Sequence, residues 1–133
     1  MKYREMVKKV QETCGLDEED SAHSIKTIIE TLGERLPPTE RKHLADQLPA
    51  ELKHPASKRE YVSDFDLETF YTRIAARERI RYAQAVERTR CVMAYLQKAI
   101  SAGEINDIKT VLPEEYGELF GDPPQSALSP SAV

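Results

Sequence analysis

Apolar residues recur at positions 3, 6, 7, 10 and 14, the three-and-four spacing of one helix face. Gly15 follows, suited to a left-handed C-terminal cap. A second stripe runs through Ala22, Ile25, Ile28, Ile29, Leu32 and Leu36. Asp17 is its expected N-cap, with acidic residues at 18–20 against the positive helix end. Pro37-Pro38 should stop this helix. Gly33 lies inside it, where glycine costs about 1 kcal/mol relative to alanine, so either a close helix approach or simple tolerance accounts for it. A shorter helix is predicted from about Thr39 to Gln47, with Leu44 and Leu48 facing inward. Leu48-Pro49 then acts as a hinge: the residue before proline is pushed out of the helical region, and proline suits the start of a new helix.

The same figure returns at Leu112-Pro113, 64 positions later. When residues 3–52 are slid onto 67–116 without a gap, 13 of the 17 apolar positions meet an apolar partner. At this chain's 40% apolar content, chance would give roughly seven. A duplicated unit is the simpler reading. In the second copy Asp66 should cap a helix over "LETFYTRIAARE", a long helix should cover Tyr82 to Ser101, and a short one should lie near 104–111. The expected domain is residues 1–120: two repeats at about 3–52 and 67–116, a loop-like linker at 53–66 and a disordered tail at 121–133. Each repeat would hold three main helices and a short one, packed into one bundle around a shared core. A unit of about 50 residues would be marginal alone, since small domains bury a small fraction of their surface.

Composition agrees with an all-α class. Only five glycines and 7% aromatics are present, while Glu, Lys, Arg, Ala and Leu abound. The net charge of −4 argues against general nucleic-acid binding, which needs a basic footprint. No stretch approaches the roughly 20 apolar residues of a membrane span, and the charged N-terminus does not resemble a signal peptide. The expectation is a cytoplasmic protein without a membrane partner. Cys14 and Cys91 are expected to be reduced, half-buried thiols.

Candidate chemistry is thin. His23, His43 and His54, with Cys14 and Cys91, offer no metal motif with ligand spacing, and their counterparts 64 positions away are Glu87, Asp107, Glu118, Glu78 and Thr27. No metal site is therefore expected, and a di-iron carboxylate bundle, which needs Glu-x-x-His on facing helices, is rejected. No phosphate-binding glycine loop occurs, so no cofactor is expected. Neither cysteine has the setting of a nucleophile, and the clustered carboxylates fit helix first turns. No catalytic residue is assigned and the protein is not expected to be an enzyme.

One local feature rises above background. Residues 66–90 carry Arg73, Arg77, Arg79, Arg81, Arg88 and Arg90 against four acidic residues. Arg73, Arg77, Arg81 and Arg88 are the candidate partner contacts. The bland reading is a solvated face with Glu–Arg pairs worth a few tenths of a kcal/mol each. The leading expectation is a helical interaction or regulatory module with a protein partner. Nucleic-acid binding through the same arginines comes second, and a small-ligand protein or small enzyme third. Oligomeric state is open.

The segments "ETLGERLP" with "LADQLP", and "SAGEINDIKTVLPEEYGELF", resemble the prokaryotic family catalogued as domain of unknown function 2267, over residues 1–120. The resemblance implies a small all-helical protein with an internal repeat. It carries no established activity or catalytic residues.

Overall fold

A computed structural model describes residues 2–61 and 64–121. Seven α-helices and a closing 3-10 helix form a single bundle, with no strand among the described residues. They are α1 (Tyr3–Cys14), α2 (Glu18–Arg35), α3 (Pro38–Gln47), α4 (Ala50–Ser57), α5 (Leu67–Glu78), α6 (Tyr82–Ala99), α7 (Ala102–Val111) and the 3-10 helix Glu114–Phe120.

Local chemistry sets the boundaries. Asp17 accepts from Asp20 N–H at 2.7 Å and Asp66 from Thr69 N–H at 2.8 Å, so both helices start on an aspartate cap. Gly15 closes α1 at φ +68°. Leu48 and Leu112 are extended, each just before a proline, and each is buried. The prolines themselves stand one residue ahead of the next helix, at its N-cap. Helices α1, α2 and α3 have 12, 18 and 10 residues, as do α5, α6 and α7, and each starts 64 positions before its counterpart.

The long helices α2 and α6 touch each other at the centre. Helix α1 packs on α2 and crosses to α6, while α5 packs on α6 and crosses to α2. Helix α4 lies along α2, and the 3-10 helix lies along α6. Helix α3 meets α7. Met6, Val10, Ile25, Ile29 and Leu32 join Phe70, Ile74, Val92, Met93 and Leu96 in one continuous buried cluster.

One expectation, the start of the linker, is revised. Residues 53–57 belong to α4, with Pro55 inside the helix, so the connecting segment begins at Lys58. Burial of Leu52, Pro55 and Ala56 outweighs the lost proline N–H. Gly103 falls inside α7, at its first turn. The last helix of the second half is 3-10. The tail expected at 121–133 lies outside the described residues, apart from Gly121.

Candidate functional site

The structure separates the four candidate arginines. Arg73 and Arg77, one turn apart on α5, converge on Glu34 of α2. Arg73 Nη1 lies 3.1 Å and Arg77 Nη2 3.0 Å from Glu34 Oε1. Arg77 Nη1 also donates to Thr31 Oγ1 at 2.8 Å, and the Arg73 guanidinium stacks 3.9 Å over the Phe65 ring. Arg88, on α6, lies 3.3 Å from both Glu78 Oε1 and Ser24 Oγ, and Ser24 itself donates to Glu78. Arg81 is exposed at the start of α6, where its backbone N–H donates to Gln84 Oε1 at 3.0 Å. Three of the four guanidinium groups thus hold internal partners. Glu34 is only 6% exposed, so its two arginines are what make its burial tolerable. Sequence reasoning misses Glu34 and Glu78, because the helix crossings that bring them to α5 and α6 are long-range. It also misses Arg35, which is buried and donates from Nε to Phe65 O at 2.7 Å. Tyr116 OH donates to the same carbonyl at 2.6 Å.

Cys14 and Cys91 form a disulfide, which corrects the expectation of reduced thiols. The crossing of α1 over α6 places their Cα atoms 6.4 Å apart, within bridging range. A separation of 77 residues hides this pairing from the sequence.

A second cluster sits where α3 meets α7. Glu40 and His43 share one face of α3, and Glu104 reaches them from α7; one donor atom from each lies within 4.8 Å of the others. His43 Nδ1 is 3.7 Å from Glu40 Oε2. Glu104 is 5% exposed, and burial with the neighbouring Glu40 carboxylate pushes its pKa up to about 8. Of the three histidines, only His43 enters this cluster among the described residues. Here sequence reasoning fails on a signal that was available: Glu40-Arg41-Lys42-His43 is itself a Glu-x-x-His run, as is Glu51-Leu52-Lys53-His54. The spacing that the rejected di-iron bundle needs is therefore present in the sequence. The three donors gathered here still fall short of the set a di-iron bundle uses.

An open groove of about 620 Å³ runs beside α1. Tyr3, Val7 and Ala22 give it an apolar floor; Arg4, Lys8, Glu12, Glu18 and Glu51 line its charged sides. The equivalent strip on α5 carries an aromatic contact instead. Tyr71, 64 positions after Val7, meets the Tyr82 ring edge-on at 5.8 Å and donates to Glu118 Oε2 at 2.6 Å.

Together these features define a small all-helical bundle tied by buried ion pairs. Among its described residues, no helix is long and apolar enough to cross a membrane. The family described as "Uncharacterized conserved protein (DUF2267)" matches residues 3–119, and the chain belongs to it. None of the curated proteins matches the chain.

Proposed function

We propose that this chain is a non-enzymatic interaction module built of two related helical units, and that it docks an amphipathic helical segment of another protein in the groove beside α1. The observation that carries this reading is the groove itself, where Tyr3, Val7 and Ala22 sit between charged side chains of both signs. At the equivalent place on α5 the Tyr82 ring packs edge-on against Tyr71 instead. A groove of about 620 Å³ takes two or three apolar anchors of a helix. Arg4 and Lys8 against Glu12, Glu18 and Glu51 would set the orientation of a segment with mixed charge. The arginine face supports this role less well, because Arg73, Arg77 and Arg88 already pair with Glu34 and Glu78.

Site-specific photocrosslinking tests the proposal. A photoreactive residue replaces Lys8 in one sample and exposed Arg81 in another. The expected result is one protein crosslinked from position 8, through a helical segment. A synthetic peptide of that segment should then bind saturably and lose at least tenfold in affinity with Arg4→Glu plus Lys8→Glu. Equal crosslinking from both positions would sink the proposal. So would nucleic acid recovered at low salt and released at high salt.

A further inference from the structure

Helix α3 and helix α7 bring two carboxylates together, with the His43 imidazole 3.7 Å from Glu40 Oε2. Glu40 Oε2 and Glu104 Oε2 are both buried, and neither accepts a hydrogen bond from an N–H or hydroxyl donor; the two carboxyl groups are close enough to share a proton with each other. Glu104 as a residue is 5% exposed, and the Glu40 side chain is 12% exposed. Glu40 and Glu104 each stand in the first turn of their helix, where the dipole favours negative charge, but the capping role open to Glu104 is only half made. Glu104 stands three residues after Ser101, the spacing of a capping box, and Ser101 Oγ does accept from Glu104 N–H at 3.1 Å. The reciprocal half is missing, because Ser101 N–H donates to Gln47 Oε1 at 2.7 Å instead. The Glu104 carboxylate is left to face Glu40 across the helix junction.

We propose that Glu40, His43 and Glu104 form a binding site for one divalent first-row transition metal ion. Two buried carboxylate oxygens and an imidazole nitrogen supply the mixed O and N donors that Zn²⁺, Mn²⁺ or Fe²⁺ accept. Calcium would want six to eight oxygens, and magnesium a near-ideal oxygen octahedron. Metal–donor bonds of about 2.0–2.1 Å put tetrahedral donors about 3.4 Å apart. Donor atoms already within 4.8 Å reach that spacing by side-chain rotation. Asp107 lies one turn beyond Glu104 on α7 but is not among the donors gathered here. Three protein donors leave a position for water or a ligand. The ion would join α3 to α7 at their junction, independently of the groove beside α1.

The test uses the full chain, free of any histidine tag and stripped with a chelator. Zn²⁺ and Co²⁺ are titrated by calorimetry, and Co²⁺ by its visible absorption. One equivalent should bind at micromolar or tighter affinity, with a ligand-field band, and should raise Tm. Glu104→Gln, which keeps the side-chain shape, should weaken binding at least tenfold. His43→Ala, at an exposed side chain that the fold does not need, should do the same and alter the Co²⁺ spectrum. Circular dichroism confirms that each variant is folded. Absence of binding by the folded wild-type chain would overturn the proposal, as would binding unaffected by either substitution. Ca²⁺ or Mg²⁺ bound more tightly than Zn²⁺ would overturn the choice of metal.

Discussion

Gly33 offers the sharpest test of the packing argument, because two accounts of it predict opposite signs. A glycine in a helix interior is ordinarily worth replacing, and alanine gains about 1 kcal/mol. In this chain Gly33 lies against α4. A methyl group added there would come within 3.0 Å of the Ala56 carbonyl carbon, and nearer still to its oxygen. Backbone cannot rotate away as a side chain can. Helix α4 would have to lift from α2 by about an ångström, loosening the buried Leu52, Pro55 and Ala56. Overpacking of this kind costs about 1–3 kcal/mol. With backbone as the obstacle, the upper end applies, and the net loss after the helix gain is about 2 kcal/mol. For a chain of 133 residues that lowers Tm by roughly 6–10 °C. Gly117→Ala is the control, since an added methyl meets nothing within 4 Å there. It should change Tm by no more than a few degrees. Thermal unfolding followed by circular dichroism reads both. A Gly33→Ala variant that melts above wild type would refute the reasoning, as would equal losses at the two glycines.

Glu34→Gln should destabilise by about 2 kcal/mol in urea unfolding, since it strands two partly buried guanidinium groups without counter-charge; a change under 0.5 kcal/mol would mean the pairs are solvated and dispensable. Reduction of Cys14–Cys91 opens a link spanning 77 residues and should cost about 2–4 kcal/mol, lowering Tm in reductant. A Cys14→Ser variant should melt at that lower temperature and ignore the reductant, whereas wild type with an unchanged Tm would count against a structural bridge. Burial pushes the Tyr116 hydroxyl up to about 12, so the fold favours its neutral form. The resulting stability is full below pH about 10 and is lost as pH rises from about 10 toward 12. Tyr116→Phe should lose about 1 kcal/mol at pH 8 with its hydrogen bond, yet fall less steeply over that alkaline range. Parallel pH curves for the two proteins would contradict the assignment.

Much of the helical layout was legible because it is local. Apolar spacing of three and four places α1, α2, α5 and α6 to within a few residues. Aspartate caps, a terminal glycine and the Leu-Pro pairs mark their ends, since each acts on backbone groups a few residues away. The candidate sites were less legible. Arg73 and Arg77 were read as surface cations because their partner, Glu34, lies on another helix. Glu40 and His43 were within reach of the sequence as a spaced pair, but Glu104, which makes them a cluster, comes from α7.

By itself, the sequence determined the helical class, the order of the helices and the faces they bury, since periodicity and capping depend on neighbours along the chain. Only the tertiary structure decided that α1 crosses to α6 and α5 to α2, that Cys14 meets Cys91, and that Glu40 faces Glu104. Those outcomes depend on which helix faces touch, and many pairings of amphipathic helices satisfy the same periodicity. Close packing selects one of them, through features such as the contact that only a glycine at position 33 permits.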